Sequence, residues 1–401
     1  MTQHASKLRA LLREIIPANR FQSVRIAAAG EIASIAEFSA RVPLTTKAEL
    51  SADHAVHPPY GTNLTFPLQR YTRFCQTSGT TAQPLAILDT PESWEWMLGN
   101  WARIYREAGV RPGDCIYFAF SFGPFLGFWT AFEAAAKMGC RCIPGGGLSS
   151  TARIRAIVQH RANVLLCTPT YALHLADTAR REQLPLGESA VRKIIVAGEP
   201  GGSVATVRAR ISAAWPDAEV LDHYGMTETG PVAYQRTGEP GVLHVIEESY
   251  FAEIIDPKTT RPAPGGTIGE LVLTPLGRAA SPLLRYRTGD LVRRGPGPGF
   301  SLMGGIVGRT DDMVVIRGVN IFPSAVEAVV QGVPSVIEYR ARVTTSGEMT
   351  ELAIDIESDD ATAARRLENA LGEAFALRIP VTRVPDGSLP RFEFKARRWQ
   401  R

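Results

Sequence analysis

The sequence predicts an α/β fold, in which a large N-terminal α/β domain with mixed sheets and a β-rich subdomain precedes a small α+β C-terminal domain. Three observations support this prediction. Between residues 115 and 200, short apolar runs such as CIYFAFS and NVLLCTP alternate with helical patterns such as FLGFWTAFEAAAKMG, which is typical of a largely parallel sheet. Past Gly241 the segments become β-rich and are broken by Pro and Gly. The pattern changes again after RRGPGPGF, and we predict domains at 1–308 and 309–401.

The individual elements follow from the spacing of apolar residues. The first segment, MTQHASKLRALLREIIP, predicts a short amphipathic helix with its leucines and Ile15 on one side. CRCIPGG and KIIVAGEP predict further strands, and STARIRAIVQHRA predicts a helix. In the last unit, SAVEAVVQGV and DATAARRLENALGEAFAL predict helices, VIEYRARVTTSGEMTELAIDIES predicts two strands joined at Ser346-Gly347, and Val381–Val384 predicts a final strand.

The composition indicates an ordinary globular protein of a reducing compartment. A chain of 401 residues, 45% hydrophobic and 21% charged, can bury a large core. Its net charge of +4 suits a polyanionic small molecule, but no basic block with interleaved aromatics precedes the tail, so no nucleic-acid partner is expected. The five cysteines predict reduced thiols. No signal peptide or membrane-spanning run is visible, so we expect a cytoplasmic location and no membrane partner.

The stretch QTSGTTAQPLAIL places four hydroxyl side chains and a glycine at residues 77–81, just before a proline and an apolar run. Such a turn can wrap an anion with converging N–H and hydroxyl groups, and a solvated surface turn is the alternative. The motifs GxxxxGK[ST], GxGxxG, HExxH and GxSxG are absent from the sequence, which argues against the corresponding kinase-like, dinucleotide-binding, metalloprotease and esterase sites.

Further polar clusters follow predicted strands, namely AGEP, DHYGMTETGP, YRTGDL and GRTDDMVVIRGVN. Because loops at strand ends form the ligand sites of open α/β sheets, these clusters predict one composite site. Together with VPLTTKAEL, QTSGTTAQP, LLCTPTYALHLAD and a lysine in LPRFEFKARRW, and in this order, they make the sequence resemble the acyl-adenylate-forming superfamily, most closely its phenylacetate-CoA ligase branch.

The resemblance implies a two-step reaction with ATP, Mg²⁺ and CoA. A carboxylic acid, expected to be aromatic, attacks the ATP α-phosphate to give an acyl-adenylate and pyrophosphate, and the thiol of CoA then displaces AMP. The resemblance also implies that the small C-terminal domain is a mobile lid that rotates between the steps, and that a homodimer can form. A carrier protein, an amine or another nucleophile as acceptor remains open, and so does a nucleotide- or acyl-binding protein without turnover.

The same resemblance assigns roles to individual residues. The loop that would hold the β- and γ-phosphates consists of Thr77, Ser78, Gly79, Thr80 and Thr81. The residues implied to contact the adenosine part are Glu199, Tyr224, Gly225, Asp290 and Arg309. Thr227 would contact the α-phosphate, Glu228 would ligate Mg²⁺, and Lys395 would bridge the attacking carboxylate and the α-phosphate.

The remaining assignments concern the acyl and acceptor sides. Phe122 and Gly123 would line the acyl pocket, and His223 would recognise a polar ring substituent. Asp311 would be the hinge. The segment implied to face the site after rotation contains Gly318, Val319 and Asn320.

Each assigned polar residue also has a purely structural alternative. Asp290 could be a turn residue, Glu228 a helix N-terminal acid, Tyr224 a core aromatic and His223 a hydrogen-bonded structural histidine.

The chain also departs from the superfamily pattern. In the SGTTGxPK motif it has Ala82 in place of a glycine and Leu85 in place of the basic residue, and Phe394 stands where a glycine usually precedes the late lysine.

Overall fold

The computed structural model describes residues 3–77, 84–312, 314–317, 319–333, 335–346, 349–390 and 398–400. Its helices are α1 (Gln3–Ile15), α2 (Arg20–Ile26), α3 (Ile35–Arg41), α4 (Lys47–Val56), α5 (Pro91–Glu107), α6 (Leu126–Lys137), α7 (Ser150–Gln159), α8 (Pro169–Arg181), α9 (Ala205–Ala214), α10 (Pro323–Gln331) and α11 (Ala363–Phe375).

The strands of the large N-terminal part are β1 (Arg73–Gln76), β2 (Ala86–Asp89), β3 (Cys115–Phe118), β4 (Arg141–Pro144), β5 (Val164–Cys167), β6 (Lys193–Val196), β7 (Glu219–Met226), β8 (Gly230–Tyr234), β9 (Val242–Val245), β10 (Tyr250–Ile255), β11 (Ile268–Pro275), β12 (Tyr286–Arg293), β13 (Ser301–Met303) and β14 (Gly308–Arg309). Those of the C-terminal part are β15 (Val314–Ile316), β16 (Val319–Ile321), β17 (Val336–Ser346), β18 (Met349–Ser358), β19 (Val381–Val384) and β20 (Trp399–Gln400).

A central sheet of order β13-β9-β8-β7-β6-β5-β3-β4 organises the large part. Strands β4, β3, β5, β6 and β7 run parallel, and β8, β9 and β13 continue the sheet antiparallel. Alternate residues of β3 face opposite sides: Ile116 and Phe118 join the core with α5 and α6, whereas Cys115 and Tyr117 join the core with α7, α8 and α9. The predicted α/β class is therefore confirmed, with helices on both faces of a mostly parallel sheet.

Local sequence explains where several helices begin. The Thr46 hydroxyl accepts a hydrogen bond from the Glu49 N–H while the Glu49 carboxylate accepts one from the Thr46 N–H, which is a capping box at the start of α4. Helices α5 and α8 each begin with a threonine cap followed by proline. The predicted amphipathic helix is α1, whose apolar side packs against Leu276 and Leu284.

A second, antiparallel sheet of order β10-β11-β12-β14 forms the predicted β-rich region. In its register Asp290 of β12 lies opposite Arg309 of β14. This pairing brings the YRTGD and GRTDD motifs side by side, although the loop between them is rich in Gly and Pro.

The small C-terminal part has its own core, between α10, α11 and a sheet of order β19-β18-β17-β20. It contacts the large part where the Ser324 hydroxyl donates to the Val307 carbonyl at 2.6 Å and the Thr206 hydroxyl donates to the Ala328 carbonyl at 3.4 Å. The domain boundary at 308/309 stays a prediction. Within the described ranges, no helix is both long enough and apolar enough to cross a membrane.

Candidate nucleotide and acyl site

The centre of the site is a buried carboxylate with two polar partners. The Tyr224 hydroxyl, on β7, donates to Oδ2 of Asp290 at 2.6 Å, and the Arg309 guanidinium donates to Oδ1 at 2.8 Å. Asp290 is only 5% exposed, and this burial raises its pKa above the ordinary value despite the nearby cation. A carboxylate offers about four acceptor positions, so Asp290 retains capacity to accept hydrogen bonds from a vicinal diol such as that of ribose.

A second carboxylate lies close by, in the turn after β7. Glu228 is 6% exposed, and its Oε1 lies 3.2 Å from Nζ of Lys47 and accepts a 3.4 Å hydrogen bond from the Tyr286 hydroxyl. In the part of the chain that the structure describes, no cluster of three or more His, Cys, Asp or Glu side chains could hold a metal. One carboxylate still fits Mg²⁺, since this ion is commonly held by one or two carboxylates together with substrate phosphates and water.

The sequence reasoning missed Lys47. It is the first residue of α4, and one turn later Leu50 packs with Leu85 and Tyr286, so the helix start lies beside the strand that leaves the 77–81 loop. A cation at a helix N-terminus opposes the helix dipole. The lysine in TTKAEL therefore stands at an unfavourable position for a cation, and this could have marked it in the sequence as a functional residue. The nearby carboxylate of Glu228 explains why a cation is present there.

Sequence reasoning also missed a fully buried arginine. Arg278 is 0% exposed; it donates to both carboxylate oxygens of Asp89 at 2.8 and 2.6 Å, and its Nη1 donates to the carbonyls of Thr227 and Glu228 at 2.8 and 2.9 Å. Nothing in the local pattern TPLGRAASP distinguishes this arginine from a solvated one.

At the phosphate loop, the structure describes both ends. The Thr77 N–H donates to the Leu85 carbonyl, and the Leu85 N–H donates to the Thr77 hydroxyl, each at 3.0 Å. Thr77 is therefore buried at the base of the loop, where its hydroxyl stabilises the closure. Ser78, Gly79, Thr80 and Thr81 lie outside the described residues, and their phosphate contacts stay a prediction.

The two other residues predicted to contact adenosine have clear local environments. Glu199 accepts hydrogen bonds from the Thr170 N–H and hydroxyl at 2.8 and 2.5 Å, in the first turn of α8, and burial raises its pKa. At Gly225, a Cβ atom would lie 2.8 Å from the Gly230 carbonyl oxygen, so glycine permits the close approach of β7 and β8. The contact of these two residues with adenine stays a prediction.

On the acyl side, His223 and Phe122 have different surroundings. His223 lies 2.9 Å through Nδ1 from the Ala233 carbonyl, and its ring centroid lies 4.3 Å from that of Trp101. Burial lowers its pKa to about 4, so the imidazole is neutral near pH 7. Because a carbonyl only accepts, Nδ1 carries the proton and Nε2 is an acceptor.

Phe122 belongs to an aromatic group after β3, with ring centroids at 5.0 Å from Trp129, 5.4 Å from Phe132 and 5.5 Å from Phe120. The Trp129 indole donates to the Gly123 carbonyl at 2.9 Å. These contacts form one apolar wall at the carboxyl end of a parallel strand, where ligands of α/β sheets commonly bind.

The structure describes the predicted hinge residue, Asp311, and two of the three residues predicted to face the acceptor. The Asp311 carboxylate is largely exposed and accepts from the Arg309 guanidinium at 2.9 and 3.2 Å. Val319 and Asn320 lie on β16, opposite Ile316 and Val315 of β15. Gly318 and Lys395 lie outside the described residues, so the roles of this segment and of the lysine stay predictions.

This chain is similar to known proteins over most of its length. Residues 68–276 match the family model described as AMP-binding enzyme, and residues 318–400 match that of the AMP-binding enzyme C-terminal domain. The phenylacetate-coenzyme A ligase of Thermus thermophilus is 31% identical over 383 residues, covering 88% of this chain and 84% of that protein. The enzyme of the same name from Aromatoleum evansii is 32% identical over 335 residues, covering 82% and 73%.

Two solved structures of 2-hydroxyisobutyryl-CoA ligase are also similar. The structure in the postadenylation state with 2-HIB-AMP has a TM-score of 0.92 at 28% identity, and covers 99% of this chain and 88% of that chain. The structure with 2-HIB-AMP and CoA in the thioesterification state has a TM-score of 0.74 at the same identity and coverage.

Proposed function

This chain belongs to the AMP-binding enzyme family and is an AMP-forming acid–CoA ligase, and from that premise we propose that it uses ATP and Mg²⁺ to activate an aromatic carboxylic acid. The observation that carries the proposal is the Tyr224–Asp290–Arg309 cluster directly beside the Thr227–Glu228 turn. A bound adenylate requires a carboxylate for the ribose hydroxyls and a neighbouring turn for the phosphate, and Asp290 and the Thr227–Glu228 turn would supply them.

In the first step the substrate carboxylate attacks the ATP α-phosphate and pyrophosphate leaves. Asp290 binds the ribose hydroxyls and Tyr224 positions its carboxylate. Glu228 would hold Mg²⁺, which supplies charge neutralisation on the phosphates. Lys395 brings a cation to the point where the two anions meet, which lowers their repulsion in the transition state.

In the second step the CoA thiol attacks the acyl carbonyl and AMP leaves. The higher TM-score to the postadenylation structure than to the thioesterification structure of the same ligase supports an orientation of the small domain that belongs to the first step. A rotation at Asp311 would then bring Gly318, Val319 and Asn320 to the acceptor side. A carrier protein in place of CoA is the alternative acceptor.

The preference for an aromatic acid rests on the aromatic wall around Phe122 and on relatives named phenylacetate-coenzyme A ligase. Aromatic rings pair favourably edge to face or offset-stacked. An acceptor Nε2 on His223 supports recognition of a hydroxyl or amine on the ring.

Product analysis by mass spectrometry tests the proposal. The wild-type protein is incubated with ATP, Mg²⁺, CoA and a panel of benzoic, cinnamic, phenylacetic and short aliphatic hydroxy acids, with Lys395→Ala as the control. We expect an aryl-CoA, AMP and pyrophosphate from the wild type and little AMP from the variant. Acyl-AMP without thioester would redirect the search to another acceptor, and thioesters from aliphatic acids alone would refute the aromatic preference.

Two broader expectations accompany this proposal. All five cysteines are free thiols, which supports a reducing compartment such as the cytoplasm, and cell fractionation tests it. A homodimer is the oligomer to test by light scattering.

A further inference from the structure

We propose that Arg278 is a positioning residue that holds the Thr227–Glu228 turn against strand β2 through one buried guanidinium. This inference rests on the proposed function, because it concerns the binding of ATP and Mg²⁺ at that turn. Arg278 itself lies behind the site and contacts the backbone of the two predicted catalytic residues rather than the substrate.

The contacts show how one side chain joins two segments. Nε and Nη2 of Arg278 donate to the two oxygens of Asp89, the last residue of β2, at 2.8 and 2.6 Å. Nη1 donates to two successive carbonyls, those of Thr227 at 2.8 Å and Glu228 at 2.9 Å. The planar fork of a guanidinium allows this combination of directions, whereas the ammonium of lysine does not reproduce it.

The segment that carries Arg278 is itself fixed to β2 and to α5, the helix that follows it. The Ser281 hydroxyl donates to the Leu88 carbonyl at 2.7 Å, and the Ala280 N–H donates to the Ser93 hydroxyl at 3.2 Å. Strand β2 follows the phosphate loop, and its pairing with β1 closes the base of that loop. Arg278 therefore fixes the turn that would hold the α-phosphate and Mg²⁺ against the end of β2.

Burial explains why this connection is rigid. Both partners of the Arg278–Asp89 pair are about 1% exposed at their side chains, so water cannot replace either one. Removing a single partner leaves a buried charge without its counter-ion, which is strongly destabilising, whereas replacing both by apolar groups is often tolerated. The pair can therefore be removed as a unit without the cost of an isolated charge.

The experiment compares three variants with the wild type. Asp89→Leu/Arg278→Met removes the ion pair together with the carbonyl contacts, and Arg278→Lys retains the charge without the fork. Glu253→Leu/Arg285→Met is the matched control, since Arg285 also pairs with a carboxylate, that of the partly buried Glu253, and donates to one carbonyl, that of Val42. The measurements are the Tm, the kcat and KM for AMP release, and the Mg²⁺ dependence of binding of a non-hydrolysable ATP analogue by calorimetry.

We expect Asp89→Leu/Arg278→Met to keep a Tm close to that of the control. Its kcat should fall about 10²-fold, because a small displacement of the groups that align the reacting atoms costs a factor of this size. The Mg²⁺ concentration for half-maximal nucleotide binding should rise, and the kcat of Arg278→Lys should lie between that of this variant and that of the wild type.

A folded double variant with wild-type kcat and Mg²⁺ dependence would overturn the proposal. If that variant does not fold, an unchanged kcat in folded Arg278→Lys overturns it and a reduced kcat supports it. If the wild type releases no AMP with any acid, the proposed function fails, and Mg²⁺-dependent nucleotide binding still decides the role of Arg278.

Discussion

A disulfide between the two parts of the chain should separate the two half-reactions. Thr206 lies at the start of α9 and Gly332 follows α10, and a Cβ atom built on Gly332 would lie 3.9 Å from Cγ2 of Thr206. Gly332 has φ −71° and ψ −9°, which any L-residue adopts. A Thr206→Cys/Gly332→Cys pair therefore needs an adjustment of about 1 Å to reach disulfide geometry, together with a small shift away from the Val329 carbonyl oxygen, which lies 3.1 Å from that Cβ.

The cross-link would hold the small part in the orientation described here, which resembles the postadenylation structure. It closes a loop of more than a hundred residues and should stabilise the protein by about 4 to 5 kcal/mol. If the second step requires rotation, only molecules without the cross-link can form the thioester. With about 95% of the molecules cross-linked, we expect thioester formation to fall about twentyfold while acyl-AMP formation stays within about threefold.

Rapid-quench product analysis in oxidising and reducing buffer measures both rates. Each single-cysteine variant is a control, and four of the five native cysteines are buried, which limits mispairing. A reductant should restore the thioester rate of the double variant. Equal thioester rates in the oxidised and reduced forms, with the cross-link verified by mass, would refute the reasoning that the second step needs a different orientation.

Three further predictions concern single side chains. Lys47→Met removes the cation beside Glu228 and should raise the KM for ATP about tenfold, measured by AMP release, with Lys47→Arg retaining most of the affinity. Asp290→Asn keeps the shape but loses the negative charge, so calorimetry should show ATP binding weakened by about 10- to 100-fold; unchanged affinity would contradict ribose binding by this carboxylate. Burial raises the pKa of Asp222 to about 6. Between about pH 4 and 6 the folded state therefore keeps a proton that the unfolded chain releases, and the free energy of unfolding falls as the pH rises. Asp222→Asn should therefore match the wild type in urea unfolding at pH 4 and exceed it by about 3 kcal/mol above pH 6.

The local spacing of apolar residues was sufficient to predict most of the secondary structure. The apolar side of α1, the alternation of strands and helices around β3, and the strand Val381–Val384 are visible in the spacing of apolar residues, because each element packs its apolar residues into a core. The prediction that Val381–Val384 is the last strand was wrong, since Trp399–Gln400 pairs with β17 as a further short strand. The ordered polar motifs also predicted one composite site. Tyr224, Asp290 and Arg309 do lie together, since β12 pairs with β14 in one sheet and Tyr224 of the central sheet donates to Asp290.

The tertiary structure alone decided which side chains support that site. Arg278 and Asp89 are 189 residues apart in the chain, and Lys47 is distant from Glu228, so no periodicity or turn preference relates them. Their pairing follows from how α4, β2 and the β7 turn pack, and from the cost of burying a charge without a partner. The sequence by itself determined the elements and the chemistry of the motifs, because these depend on neighbouring residues. The fold decided the electrostatic partners of those motifs, because only packing brings charges that are distant in the sequence within hydrogen-bonding distance.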